Sequence, residues 1–240
     1  MEFGKDTMMQ KNLPRRSQRG VSLLFALIAL VALSLATLAL VRTVDTGALM
    51  LGNIGFKQDA TVTADQTARE ALAWVKNNTA SLDDDAPGSG YYASTREVNA
   101  DKSFTPVDVT GQQYDPAASA LYRTRRLVDW SEAQDGACPY ATSGTYSTCA
   151  IKSAAGATIN GNKTRYVIFR LCAATGSAND ELNNSCSKPL NSNGGASGRG
   201  ALAYGSARFT STSGAYYRIV VRVLGARNTV SYTETIANFE

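Results

Sequence analysis

The chain has 240 residues, 18% of them charged, and a formal net charge of +4. It contains no histidine, which excludes Ser-His-Asp and Cys-His catalysis and His-ligated metals together. The basic balance sits largely in residues 1–20, where Lys5, Lys11, Arg15, Arg16 and Arg19 outnumber Glu2 and Asp6, so it does not point to a nucleic-acid partner.

Directly after this stretch the sequence turns apolar. No charged residue occurs between Arg19 and Arg42, and Val21 to Val41 is built of Leu, Ala, Val, Ile and Phe, with only Ser22, Ser34 and Thr37 interrupting. At 1.5 Å per residue a helix over 21–41 is about 31 Å long, close to the hydrocarbon thickness of a bilayer. The hydroxyls are tolerable there because each can bond a carbonyl one turn back. A single membrane-spanning helix is expected, with the basic N-terminus cytoplasmic and the rest of the chain in the periplasm by the positive-inside rule. A cleaved secretory signal would be shorter and would end in small residues of the A-x-A kind. The exit Val41-Arg42-Thr43-Val44-Asp45 offers no such site.

Arg19-Gly20 abuts the apolar run, and this resembles a type IV pilin leader. A Gly at a cut lets a protease approach the backbone with no Cβ in the way. The words QRGVSLLFALIALVALSLATLALVR and then TVDTGALMLGN are most similar to the PilX family of minor pilins, over roughly residues 17–75. The resemblance implies a leader over 1–20, cut by a prepilin peptidase between Gly20 and Val21, and N-methylation of Val21. It also implies an α+β fold of pilin kind, with a long helix over 21–78 packed on an antiparallel sheet within a periplasmic domain over 79–240.

Major pilins carry a Glu at the fifth position after the cut, and here that position is Phe25. A carboxylate in lipid is costly unless a partner arrives, so it belongs where a neighbour's terminal amine docks. Together with the PilX likeness, and a likeness to the tip pseudopilin of type II secretion systems, Phe25 implies a place at or near the pilus tip. The implied role is priming or capping pilus assembly. The implied partners are other minor pilins, the major pilin, a tip adhesin, the prepilin peptidase and the inner membrane. Two alternatives remain open, a type II secretion minor pseudopilin and an uncleaved single-pass periplasmic binding protein.

Beyond the span, Gly47, Gly52 and Gly55 each cost a helix up to about 1 kcal/mol relative to Ala, so a loosened or bent segment is expected there. From Asp59 onward Ala60, Ala64, Ala68, Ala71, Leu72 and Val75 form a narrow stripe at helical period. So small a stripe lets a sheet or second helix come close. The helix should stop near Asn77-Asn78, before Asp83-Asp84-Asp85-Ala86-Pro87-Gly88. The three consecutive Asp lack the alternating spacing of a calcium loop and read as a solvated turn. Residues 80–118 show little periodicity and read as a connecting region.

Strands follow. Residues 122–130 can be extended, and Arg165–Cys172 is the strongest strand, rich in β-branched and aromatic residues. Tyr216–Leu224 alternates Tyr217, Ile219, Val221 and Val223 against Arg218 and Arg222; Gly225–Asn228 turns, and Thr229–Phe239 returns. That pattern predicts an antiparallel hairpin with one face on the Ala stripe and the other largely wet. Arg123, Arg125 and Arg126 lack the interleaved aromatics that grip single strands, and read as the polar edge of a strand. Residues 191–200 read as a tolerated flexible loop.

The four cysteines, Cys138, Cys149, Cys172 and Cys186, all lie in the domain expected to be exported. Three pairings are open to them. The sequential one is favoured, since each bridge then closes a short local loop in an oxidising compartment. Zinc is the rival, but no CxxC pair is present. No Gly-x-Ser-x-Gly elbow occurs either. Neither enzymatic activity nor a metal or cofactor is expected.

Overall fold

The computed structural model describes residues 21–111, 124–139, 141, 145–192, 209–211 and 214–238. It opens with one helix, α1 (Val21–Asn77), unbroken through Gly47, Gly52 and Gly55. The expected loosening is not seen. A helical Gly costs conformational entropy but keeps its backbone hydrogen bond, and the turns on either side carry the segment through. The chain divides into two compact units at the Ile54/Gly55 junction.

In the second unit α1 turns one stripe inward. Thr63, Ala64, Thr67, Ala68, Ala71 and Val75 are buried, and the Thr67 hydroxyl is satisfied by the Thr63 carbonyl at 3.0 Å. At its end the Asn78 side chain donates to the Trp74 carbonyl at 2.7 Å, occupying an acceptor that the finished helix leaves open.

The strands are β1 (Tyr91–Tyr92), β2 (Val107–Asp108), β3 (Thr124–Asp129), β4 (Thr145–Lys152), β5 (Ala154–Ala155), β6 (Lys163–Arg170), β7 (Leu190–Ser192), β8 (Phe209–Ser211), β9 (Tyr216–Leu224) and β10 (Val230–Asn238). The main sheet runs β1-β6-β9-β10, with β5 also on β6. Its centre is antiparallel, and the expected hairpin is present as β9 and β10, paired from Val230↔Leu224 to Asn238↔Tyr216. The sheet as a whole is mixed, because β1 lies parallel to β6 with Tyr91 opposite Ile168. A 3-10 turn at Pro87–Ser89 followed by left-handed Gly90 (φ +67°) delivers the chain into β1 in that direction. A smaller sheet, β2-β3-β4, is wholly parallel, and β7 pairs β8 antiparallel. An apolar N-terminal helix leading into a sheet domain with two disulfides is an α+β arrangement of general pilin kind.

The Ala stripe packs on Tyr166, Ile168, Tyr217, Ile219, Val221 and Val223 of the main sheet, as the alternation predicts. The opposite face is the correction. It is not largely wet: Val167, Phe169 and Val220 meet Val107, Val128, Trp130 and Ile151 in a second core. β6 explains this, since Tyr166-Val167-Ile168-Phe169 is apolar on both faces and needs cover on both.

Two further readings are corrected by the polar groups. Arg125 is not a polar edge. It is 1% exposed on β3, ion-paired to the buried Asp108 carboxylate at 2.5 Å and stacked 4.6 Å from the centre of the Tyr146 ring. Arg126 bonds the Arg96 carbonyl and Asn99, while Arg123 lies outside the described residues. The Asp triplet is not merely a solvated turn either. Asp85 accepts the Ala93 N–H at 2.8 Å and pairs Arg96, and Asp83 receives the buried Arg170 guanidinium at 3.0 Å. Arg170 also donates to the carbonyls of Ala93 and Gly176, so one cation ties the acidic turn, β1 and the loop after β6.

Burial raises the phenol pKa of Tyr91, Tyr92, Tyr166, Tyr217 and Tyr232; Tyr92, whose oxygen also accepts the Lys152 N–H at 2.6 Å, is pushed up to about 12. The folded state therefore favours neutral phenols. That preference costs nothing below the unfolded value near 10, and stability falls as pH climbs from 10 through the raised values. A pH titration followed at 295 nm should show these tyrosines ionising late and together with loss of near-ultraviolet circular dichroism. Five smooth, early ionisations in an intact fold would contradict their burial.

Candidate functional site: the exposed apolar helix

Over residues 21–41 α1 has no single apolar stripe, because it is apolar nearly all round. Leu23, Leu24, Phe25, Leu27, Ile28, Leu30, Val31, Leu33, Leu35, Leu38 and Leu40 are all exposed in the isolated chain. Such a helix either lies within a larger assembly or crosses lipid. It is long and apolar enough to cross a membrane. Its polar side chains are satisfied internally: Ser34 donates to the Leu30 carbonyl at 2.8 Å and Thr37 to the Ser34 carbonyl at 2.9 Å. Thr43 and Thr46 do the same toward Ala39 and Arg42, so hydroxyls continue this pattern where the charges resume.

Val21 is the first residue of the helix, and Gly20 with the rest of 1–20 lies outside the described residues. The first helical turn contains no acidic residue. Phe25 is 64% exposed, as are its neighbours Leu24, Leu27 and Ile28 to similar degrees.

Past Arg42 and Asp45, Leu49, Met50, Leu51, Ile54 and Phe56 are further exposed apolar side chains. The interspersed Thr and Gly residues mask that continuation. The apolar surface thus extends well past the charged pair.

The cysteines pair Cys138–Cys149 and Cys172–Cys186. The first bridge ties the segment after β3 to β4, and the second closes the loop after β6. Loops of this length gain about 3 kcal/mol from closure in the chain-entropy model. Within the second loop Asn184 is buried, its oxygen accepting the Ala174 N–H at 3.1 Å and its amide donating to the Ala174 carbonyl at 2.9 Å. Ser185 and Lys188 have the spacing of a Ser-x-x-Lys pair, but they flank Cys186 in a loop rather than sharing a helix face. Lys188 reaches Glu181 at 3.4 Å. The helix is long and apolar enough to cross a membrane, and two disulfides staple the sheet domain. No protein-family model, no curated protein and no solved structure matches this chain.

Proposed function

We propose that this chain is a minor pilin of a type IV pilus, of the PilX kind, that primes or caps assembly at or near the tip. The observation that carries the reading is the single helix α1, apolar on every side over its first part and Ala-striped against a sheet over its last. The same helix supplies a segment suited to lipid or to a bundle of like helices and a stripe that packs within a folded domain. In this reading the leader keeps the N-terminus cytoplasmic until the prepilin peptidase cuts between Gly20 and Val21 and methylates the new amine. The helix then leaves the inner membrane for the fibre core, where burial among other helices replaces burial in lipid. Phe25 supplies no carboxylate for a neighbour's amine, which suits a subunit that begins or ends a fibre. Its partners are then other minor pilins, the major pilin and a tip adhesin, and it acts by assembly rather than catalysis.

The test is the intact mass and N-terminal peptide of the protein recovered from membranes and from sheared surface fibres. A chain beginning at Val21 and heavier by one methyl group is expected, present in both fractions. A chain beginning at Met1, Met8 or Met9 and absent from fibres would overturn the proposal in favour of an uncleaved anchored domain. A correctly cut chain found only with a secretion apparatus would overturn it in favour of a pseudopilin.

A further inference from the structure

Three Asn-x-Ser/Thr triplets occur in the chain, at Asn77, Asn162 and Asn183, and each has the composition of an acceptor for an N-linked glycan. The fold separates them. Asn77 is the last residue of α1, and its neighbour Asn78 is tied back to the Trp74 carbonyl, so that triplet starts inside a helix. Asn162 is buried, and its amide donates to the Asp59 carboxylate at 2.6 Å and to the Thr63 hydroxyl at 3.3 Å. A sugar there would have to enter between the helix stripe and the sheet. Asn183 is exposed on the loop after β6, beside Leu182, which is 96% exposed.

That loop suits a bulky group. The Asp180 carbonyl folds its tip by accepting the Asn183 and Asn184 N–H groups at 3.3 and 2.8 Å. Beneath the tip Asn184 is buried, and the Cys172–Cys186 bridge closes the loop. The Asn183 side chain stays outside, where Nδ2 donates to the Asp180 carboxylate at 2.8 Å. An amide nitrogen carries two hydrogens, so replacing one leaves the other for Asp180. A glycan at this point displaces no core contact, and glycans belong at such surface positions.

The residues around Asn183 carry a further signal. Glu181-Leu182-Asn183-Asn184-Ser185 places a carboxylate two positions before the Asn and a hydroxyl two positions after it. At the earlier position Asn77 has Val75 and Asn162 has Asn160, so neither has the acid. The hydroxyl gives a transferase one hydrogen bond to the acceptor, and the carboxylate gives it a charge-assisted one on the other side. Glu181 and Ser185 are both exposed.

We propose that Asn183 is the acceptor of an N-linked glycan, added in the periplasm from an oligosaccharide linked through pyrophosphate to a membrane lipid. Asn183 Nδ2 bonds to the anomeric carbon as the bond from that carbon to the pyrophosphate oxygen breaks. The lipid pyrophosphate leaves with the electron pair, and the amide gives up one proton. Because Asn184 is buried in the folded loop, transfer precedes closure of that loop, while the segment can still lie extended on the transferase. The proposal rests on export of the domain and not on fibre assembly.

Peptide mapping by mass spectrometry of the full chain, recovered from the membranes of its own cells, tests this. The peptide containing Asn183 should carry a glycan mass, and those containing Asn77 and Asn162 should be bare. Asn183→Gln and Ser185→Ala should abolish the modification, and Ser185→Thr should keep it. Glu181→Gln should reduce occupancy about tenfold, as expected for loss of a charge-assisted bond. All three positions are exposed, so these variants keep the fold, which far-ultraviolet circular dichroism checks. A bare Asn183, a glycan on Asn77 or Asn162 instead, or occupancy unchanged by Ser185→Ala or by Glu181→Gln would each overturn the proposal. The N-terminal peptide of the same digest keeps this result apart from the assembly reading. A chain beginning at Val21 with Asn183 bare removes this inference alone, and a glycosylated chain beginning at Met1 removes the other alone. Cysteines that all alkylate freely would mark a chain never exported, and would overturn both.

Discussion

Asp108→Asn is expected to lower the unfolding free energy by about 3–5 kcal/mol, because it leaves the Arg125 charge buried without its partner. The substitution is chosen to isolate that effect. Asp108 Oδ1 also accepts the N–H groups of Thr110 and Gly111 at 3.0 and 3.1 Å, and an Asn oxygen can keep both. What is lost is the negative charge facing a guanidinium that is 1% exposed. The pair contributes less net stability than this loss suggests, since both ions were stripped of water to form it. Arg125→Met fills similar volume without a charge, so the double variant Asp108→Asn/Arg125→Met should be more stable than the sum of the single losses predicts, by about 2–3 kcal/mol. Urea unfolding of all four proteins measures the cycle. Strictly additive losses, or a loss below about 1 kcal/mol for Asp108→Asn, would show that Arg125 reaches water.

Gly90→Ala should cost about 3 kcal/mol or more, from two sources that add. The backbone at Gly90 is left-handed (φ +67°), and holding a side chain there costs on the order of 1 kcal/mol. In addition, a Cβ would come within 2.8 Å of both the Ala154 nitrogen and the Tyr166 carbonyl oxygen. Both are backbone atoms of the main sheet and cannot rotate aside. The Gly90 carbonyl accepts the Ile168 N–H at 2.8 Å, so movement at this point would unpick β1 from β6. Gly161 is the matched control: it is also left-handed (φ +81°) but has nothing within 4 Å of its would-be Cβ. Gly161→Ala should therefore lose only about 1 kcal/mol. Thermal unfolding of the two variants side by side checks this, and equal losses would mean that the close approach at Gly90 relaxes freely.

What could be read from sequence followed periodicity. The apolar run, the Ala stripe and the β9–β10 hairpin each repeat a pattern over many residues, and each lies where its pattern puts it. The smaller sheet had no such signal. β2 is two residues long, and β3 carries Arg125 and Arg126 amid its apolar positions, so its cover of the second core is a tertiary fact. The acidic turn misled for a related reason. Charge suggests water, and only the fold brings Arg170 and Arg96 to Asp83 and Asp85. The parallel course of β1 was hidden in one glycine's dihedral angle. The exposed apolar helix, by contrast, was legible from composition alone, except that Thr and Gly between Arg42 and Gly55 concealed how far its apolar surface continues.

The way the Ala stripe is covered also sets a timetable. Synthesis proceeds from the N-terminus, so the helix emerges early, while the strands that cover its stripe, β6 and β9, come roughly a hundred residues or more later. Even the polar tie from Asn162 to Asp59 joins positions 103 residues apart. Contacts this distant must wait for loop closure before they stabilise anything, which makes for slow folding and a nascent chain that stays open to proteases and holdases. Until β6 and β9 arrive, Ala64, Ala68 and Ala71 lack the side chains that cover them in the folded domain.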